Sequence, residues 1–205
     1  MSNRNKSRHA AKPLAQPVGS PAELKQFTNG GGFYPNFSFI RYWWEGEGPR
    51  AGIKPVIQKK LTPGDDPQFG KAAKWEVLIP DNAPSEFADF DRLLDRFDAM
   101  LPPFERHALV QVKIILDPQQ SWVAGYERVR SYVRGHFLPA AHPVVLVAHV
   151  PGVAGATNRS HVHAMVLSRA LTIDGMGIVN HRLCSDLGHT DAWAAWQAFL
   201  GQAEA

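Results

Sequence analysis

Three histidines in the stretch VAHVPGVAGATNRSHVHAMVLSR (147–169), His149, His161 and His163, have the types and spacing to hold a metal ion. Residues i and i+2 of a strand point to the same face, so His161 and His163 set two imidazoles side by side, about two residue rises apart. His149 lies in the preceding apolar run, and the loop PGVAGATNRS can fold back to bring it opposite the pair. Three neutral imidazole nitrogens on one patch of sheet suit a borderline divalent ion and leave coordination positions open for water or substrate. A lone histidine on an apolar strand is more often simply hydrogen-bonded; three at this spacing favour the metal reading. His107, His136, His142, His181 and His189 fall at element ends or in polar loops and read as surface histidines.

The elements that must position the triad follow from hydrophobic period. NFSFIRYWW (36–44) has strand composition, a looser segment holds KPVIQKKL, and KWEVLIP (74–80) reads as a short edge or hairpin strand. From Pro84 the period becomes helical, with Phe87, Phe90, Leu94, Phe97 and Leu101 on one face, until Pro102 and Pro103 stop it. HALVQVKIIL (107–116) is a second strand. After it, Asp117 can cap a helix that buries Trp122, Tyr126, Val129, Val133 and Phe137. PVVLVAHV and HVHAMVLSR are two further strands, and the ten residues between them favour antiparallel pairing. A closing helix, TDAWAAWQAFL, is expected to start at a Thr190 cap and to bury Trp193, Trp196 and Leu200. The expected class is α+β: a mostly antiparallel sheet with helices packed on one face.

With 205 residues, 44% of them hydrophobic and 20% charged, the chain supports one main domain, expected over 31–205. Residues 1–30 read as a flexible arm, basic through Arg4, Lys6, Arg8 and Lys12, although the formal net charge of the whole is only +3. The single Cys184 excludes internal disulfides and cysteine-rich zinc modules and fits a reducing compartment. No apolar run approaches the roughly 20 residues of a membrane span, and no apolar segment follows the basic N-terminus. The expectation is a cytoplasmic protein with no membrane partner.

Known His-x-His chemistries narrow the choice. A cupin would follow the pair with a glutamate, which HVHAMVLSR lacks, and an amidohydrolase needs a much longer barrel. His149 before a short loop, NRSHVHAMVLSR with Asn158 and Arg169 flanking the pair, the DGMG turn at 174–177 and the Trp-rich closing helix together resemble the MobA/MobL plasmid mobilisation relaxases. These belong to the HUH single-strand endonucleases. Upstream, WEVLIPDNAPSEFADFDRLLDRFDAM is similar to a family segment in which a strand leads through Leu-Pro and Ala-Pro into a helix. The resemblance spans about residues 70–200.

The resemblance implies that His149, His161 and His163 hold a divalent metal, magnesium or manganese before zinc, and that a tyrosine attacks a DNA phosphate and stays joined to the 5′ end. It implies single-stranded DNA at a transfer origin as partner, together with accessory relaxosome proteins. Arg169 would touch the DNA backbone, or be an ordinary strand-end cation. The family carries its nucleophile in an alanine-rich helix with a Tyr-Arg pair; this chain has YWWEGEGPRAGIKPVIQKK there instead. Tyr42, beside Arg41, is then the candidate nucleophile, with a core or cross-strand aromatic as its other reading. Trp43 and Trp44 in tandem cannot both face one side of a strand, so one could stack on a base beside Arg41 or lie under the arm. Lys59 and Lys60 are candidate phosphate contacts. Three functions stay open: a DNA-nicking relaxase, a non-catalytic DNA-binding relative, and a metal-dependent phosphodiesterase that uses water.

Overall fold

The structure is a computed structural model that describes residues 21–29, 34, 36–65, 70–154 and 157–203. Its frame is a six-stranded antiparallel sheet in the order β1-β2-β4-β6-β5-β3. The strands are β1 (Glu23–Asn29), β2 (Phe37–Glu45), β3 (Lys74–Leu78), β4 (His107–Ile115), β5 (Val144–His149) and β6 (His161–Leu167). A separate hairpin of β7 (Arg169–Thr172) and β8 (Gly175–Val179) turns at Gly175, whose φ of 94° is costly for any residue with a Cβ. The helices are α1 (Lys54–Leu61), α2 (Phe90–Met100), α3 (Trp122–His136) and α4 (Asp186–Ala203).

The expected α+β class with a mostly antiparallel sheet holds, but helices cover both faces of the sheet, not one. Strand alternation explains why: β4, β5 and β6 carry apolar residues on both faces and so have two sides to bury. Val110, Val112, Leu146, Ala148, Val162 and Ala164 pack with Tyr126, Val133 and Trp196 of α3 and α4. The alternate residues Leu109, Val145, Val147 and Met165 pack with Ile57 of α1 and with Leu93, Leu94 and Phe97 of α2.

Several boundaries also differ from expectation. Residues 23–29, assigned to the arm, form edge strand β1, with Lys25 opposite Trp43 and Phe27 opposite Arg41. Its ELKQFTN composition is mostly exposed, so pairing comes from backbone hydrogen bonds and leaves little apolar pattern to read. Residues 1–20, with Arg4, Lys6, Arg8 and Lys12, lie outside the described residues. KPVIQKKL is α1; Pro55 suits its first turn, and the Asp98 carboxylate of α2 accepts from Ile53 N at 3.0 Å, docking its N-terminus. Ser121, not Asp117, caps α3 by accepting from Ala124 N at 3.1 Å. Thr190 lies inside α4, where its hydroxyl donates to Asp186 O. Trp44 is buried, and Trp43 is half-buried on the other side, as the tandem pair requires.

Candidate metal centre

Strand register assembles the triad. His149 is directly opposite His161 on the adjacent strands β5 and β6, and His163 follows on the same face as His161. That face is the one covered by α1 and α2, since its neighbours Val147 and Met165 belong to their core. The ring centroids lie 4.8–5.1 Å apart, and one nitrogen of each ring lies within 4.8 Å of the others.

Backbone carbonyls set which nitrogen of each ring is free. His149 Nε2 donates to Lys60 O at 2.7 Å, which leaves Nδ1 with its lone pair. His161 Nδ1 donates to Arg159 O at 2.8 Å, which leaves Nε2. Those two free nitrogens face each other at 3.2 Å, and His163 Nδ1 is buried without a hydrogen-bond partner among the described residues. Lone pair against lone pair at that distance is unfavourable unless a proton or a cation sits between. A proton is disfavoured. Burial pushes His161 down to about 4, and burial with the neighbouring charges pushes His163 down to about 2, while His149 is lowered for the same first reason. The residues therefore fit a divalent ion: three neutral imidazoles, two of them oriented by carbonyls, and one orphaned buried nitrogen.

The surroundings are cationic. Lys113 of β4 pairs with His163 and shares its face, and Lys60 reaches the triad from the last turn of α1. Burial lowers the Lys60 ammonium below its usual range, and Lys113 lowers it further; both lysines also depress the histidines. Lys113 escaped the sequence reading, although Gln111 and Lys113, polar at i and i+2 of an apolar strand, were a visible signal that one face of β4 is special.

The other expected site residues lie elsewhere. Arg41 is on the opposite face, paired with Asp186 of α4 at 2.9 Å and stacked over Phe27 at 5.1 Å. Arg169 is buried, donating to Gly177 O at 2.7 Å, to Met176 O at 3.2 Å and to Met100 O, so it binds hairpin to helix and is not free for DNA. Lys59 is exposed beside Lys60 at the end of α1. His142, read as a surface residue, is buried between Leu167 O at 3.0 Å and the Asn180 side-chain amide at 2.9 Å.

Tyr42 shares the triad's face but is not brought to it. It pairs with Leu109, four positions along β4 from Lys113, or roughly 13 Å at the rise of a strand. Its ring is buried, its hydroxyl bonds Gln111 Oε1 at 3.2 Å, and burial raises its pKa. The other three tyrosines are also engaged: Tyr126 with Glu76, Tyr132 with Ala192 O, and Tyr34 against Trp193 in the core under α4. Tyr42→Phe is accordingly expected to leave any DNA cleavage within about twofold of wild type, measured as nicking rate. A large loss would place the hydroxyl at the reaction centre.

No protein-family model matches the chain and no curated protein matches it. Solved structures do. A chain from the structure described as the molecular basis of vancomycin resistance transfer in Staphylococcus aureus aligns with TM-score 0.58 at 13% identity, over 71% of this chain and 81% of that one. The conjugative relaxase TrwC, in a copper-bound complex with oriT DNA, aligns with TM-score 0.37 at 13% identity, over 73% and 65%. At such identity the first likeness is one of fold alone, and it accords with the α+β architecture and its antiparallel sheet.

Proposed function

We propose that the chain is a metal-dependent DNA-nicking protein of the mobilisation relaxase type, nearest in motif to MobA/MobL, acting on single-stranded DNA at a transfer origin. The observation that carries this is the convergence of three neutral imidazoles with Lys60 and Lys113 on one face of the six-stranded antiparallel sheet. His149, His161 and His163 would hold the ion, magnesium or manganese, which when bound supplies Lewis-acid polarisation of a phosphate oxygen. Lys60 and Lys113 attract the same phosphate and help to hold it in the site. The Lys60 and Arg159 carbonyls keep two imidazoles in the ligating tautomer. Accessory relaxosome proteins are part of this reading, as partners that deliver the origin.

The tyrosine positions favour a second reading, hydrolysis by water, over covalent strand transfer through Tyr42. One assay separates them: supercoiled origin plasmid and single-stranded oligonucleotides with magnesium or manganese. Nicked product without a protein adduct supports hydrolysis, and an adduct supports transfer. Intact DNA binding with no cleavage leaves a non-catalytic binder. Lys60→Ala with Lys113→Ala is expected to weaken single-strand binding and to flatten its salt dependence by about 0.7 per lost contact. An unchanged slope would remove the lysines from the DNA path.

A further inference from the structure

We propose that Glu105, His107 and His181 form a second divalent-metal site, of the zinc class, which pins the start of β4 to the turn leading into α4. It is independent of the triad. His107 opens β4 and lies six residues before Lys113, so the two sites are roughly 20 Å apart along one strand.

The carboxylate points to the ion. Glu105 is only 7% exposed, and a buried carboxylate is costly unless a charge or a full set of hydrogen bonds compensates it. Its Oε1 accepts the His107 backbone N–H at 2.8 Å, which fixes the group's orientation. Its Oε2 has His181 Nε2 at 3.5 Å, too long for a charge-assisted hydrogen bond. Arg50 and Arg169 are near enough to feel its charge, but both guanidiniums bond main-chain carbonyls instead of the carboxylate, Arg50 those of Glu105 and Pro102 and Arg169 those of Gly177, Met176 and Met100. No described lysine or arginine forms an ion pair with Glu105.

The histidines complete the set. One ligand atom from each of the three residues lies within 4.8 Å of the others, and the two rings sit 5.3 Å apart at 71°. No ring nitrogen of His107 is hydrogen-bonded among the described residues, and burial lowers its pKa, which favours the neutral ligating form. Two imidazoles and one carboxylate are a zinc ligand set with a coordination position to spare. The residues come from distant parts of the chain, so the ion fastens the segment that carries α4 and its buried Trp196 to the end of the sheet.

The test uses the full chain and zinc itself, with cobalt as a spectroscopic substitute, by equilibrium dialysis and cobalt absorption. Wild type is expected to bind two equivalents. H161A/H163A should bind one, and adding His181→Ala or Glu105→Gln should weaken that one by about a hundredfold or more, since even an outer partner of a ligand is worth 10–100-fold. In the otherwise wild-type chain, His181→Ala should lower the count from two to one; its ring is largely exposed, so the fold is retained. A wild type that binds only one equivalent, kept in H161A/H163A and lost on His181→Ala, upholds this site while overturning the triad as a metal centre. No zinc bound by H161A/H163A, or one equivalent indifferent to Glu105 and His181, overturns the proposal.

Discussion

His163→Ala is expected to lower metal affinity and metal-dependent cleavage by about a hundredfold or more while the protein stays folded. The lower bound follows from partners that merely orient a ligand, whose loss already costs 10–100-fold. His163 is the most buried member of the set, and its unpartnered Nδ1 is a cost to the metal-free fold that alanine removes. Metal titration, nicking rate and far-UV circular dichroism on one preparation separate the effects. Unchanged metal affinity would move the ion away from these histidines.

Arg169→Ala should give one of the largest losses of stability for a polar substitution. The guanidinium serves the carbonyls of Gly177, Met176 and Met100 at once, and the residue is only 7% exposed. Leaving buried acceptors unpaired costs about 1–3 kcal/mol each, so a total of about 3 kcal/mol is a modest expectation. In a chain of this size that lowers the melting temperature by roughly 6–12 °C. Arg169→Lys should recover little, because one ammonium cannot reproduce the fork that reaches three carbonyls. A melting temperature unmoved by either change would mean that water already satisfies those carbonyls.

The residues that could be read from sequence were those whose type and spacing decide their role locally. His161 and His163 share a face because strand period is two, and the eleven residues before His161 are enough to turn β5 against β6. Leu94 and Phe97 announced a helix by period alone, although it starts only at Phe90, where Asp89 caps it, and Phe87 belongs to a separate 3-10 turn, Ser85–Ala88. What escaped was set at long range. β1 is polar and pairs only because β2 offers an edge, and α1 forms over a short, weakly patterned segment because Asp98 and the core at Ile57 receive it. Arg169 and Arg41 looked like surface cations beside a motif; the carbonyls and the carboxylate that consume them come from α2, β8 and α4. Lys113 was hidden for the same reason, since only the β4–β6 register sets it beside His163.

The local origin of the triad has a thermodynamic consequence. All three imidazoles lie between residues 149 and 163, joined by one hairpin, so the denatured chain retains most of the same chelating segment. A ligand stabilises a fold only by the excess of its affinity for the native over the unfolded chain. An ion at the triad would therefore raise the unfolding midpoint by less than its native affinity implies. Glu105, His107 and His181 span most of the second half of the chain and lose one another on unfolding. Equal native affinities at the two places would thus yield unequal protection against denaturant, with the larger share from the one that chemistry needs least.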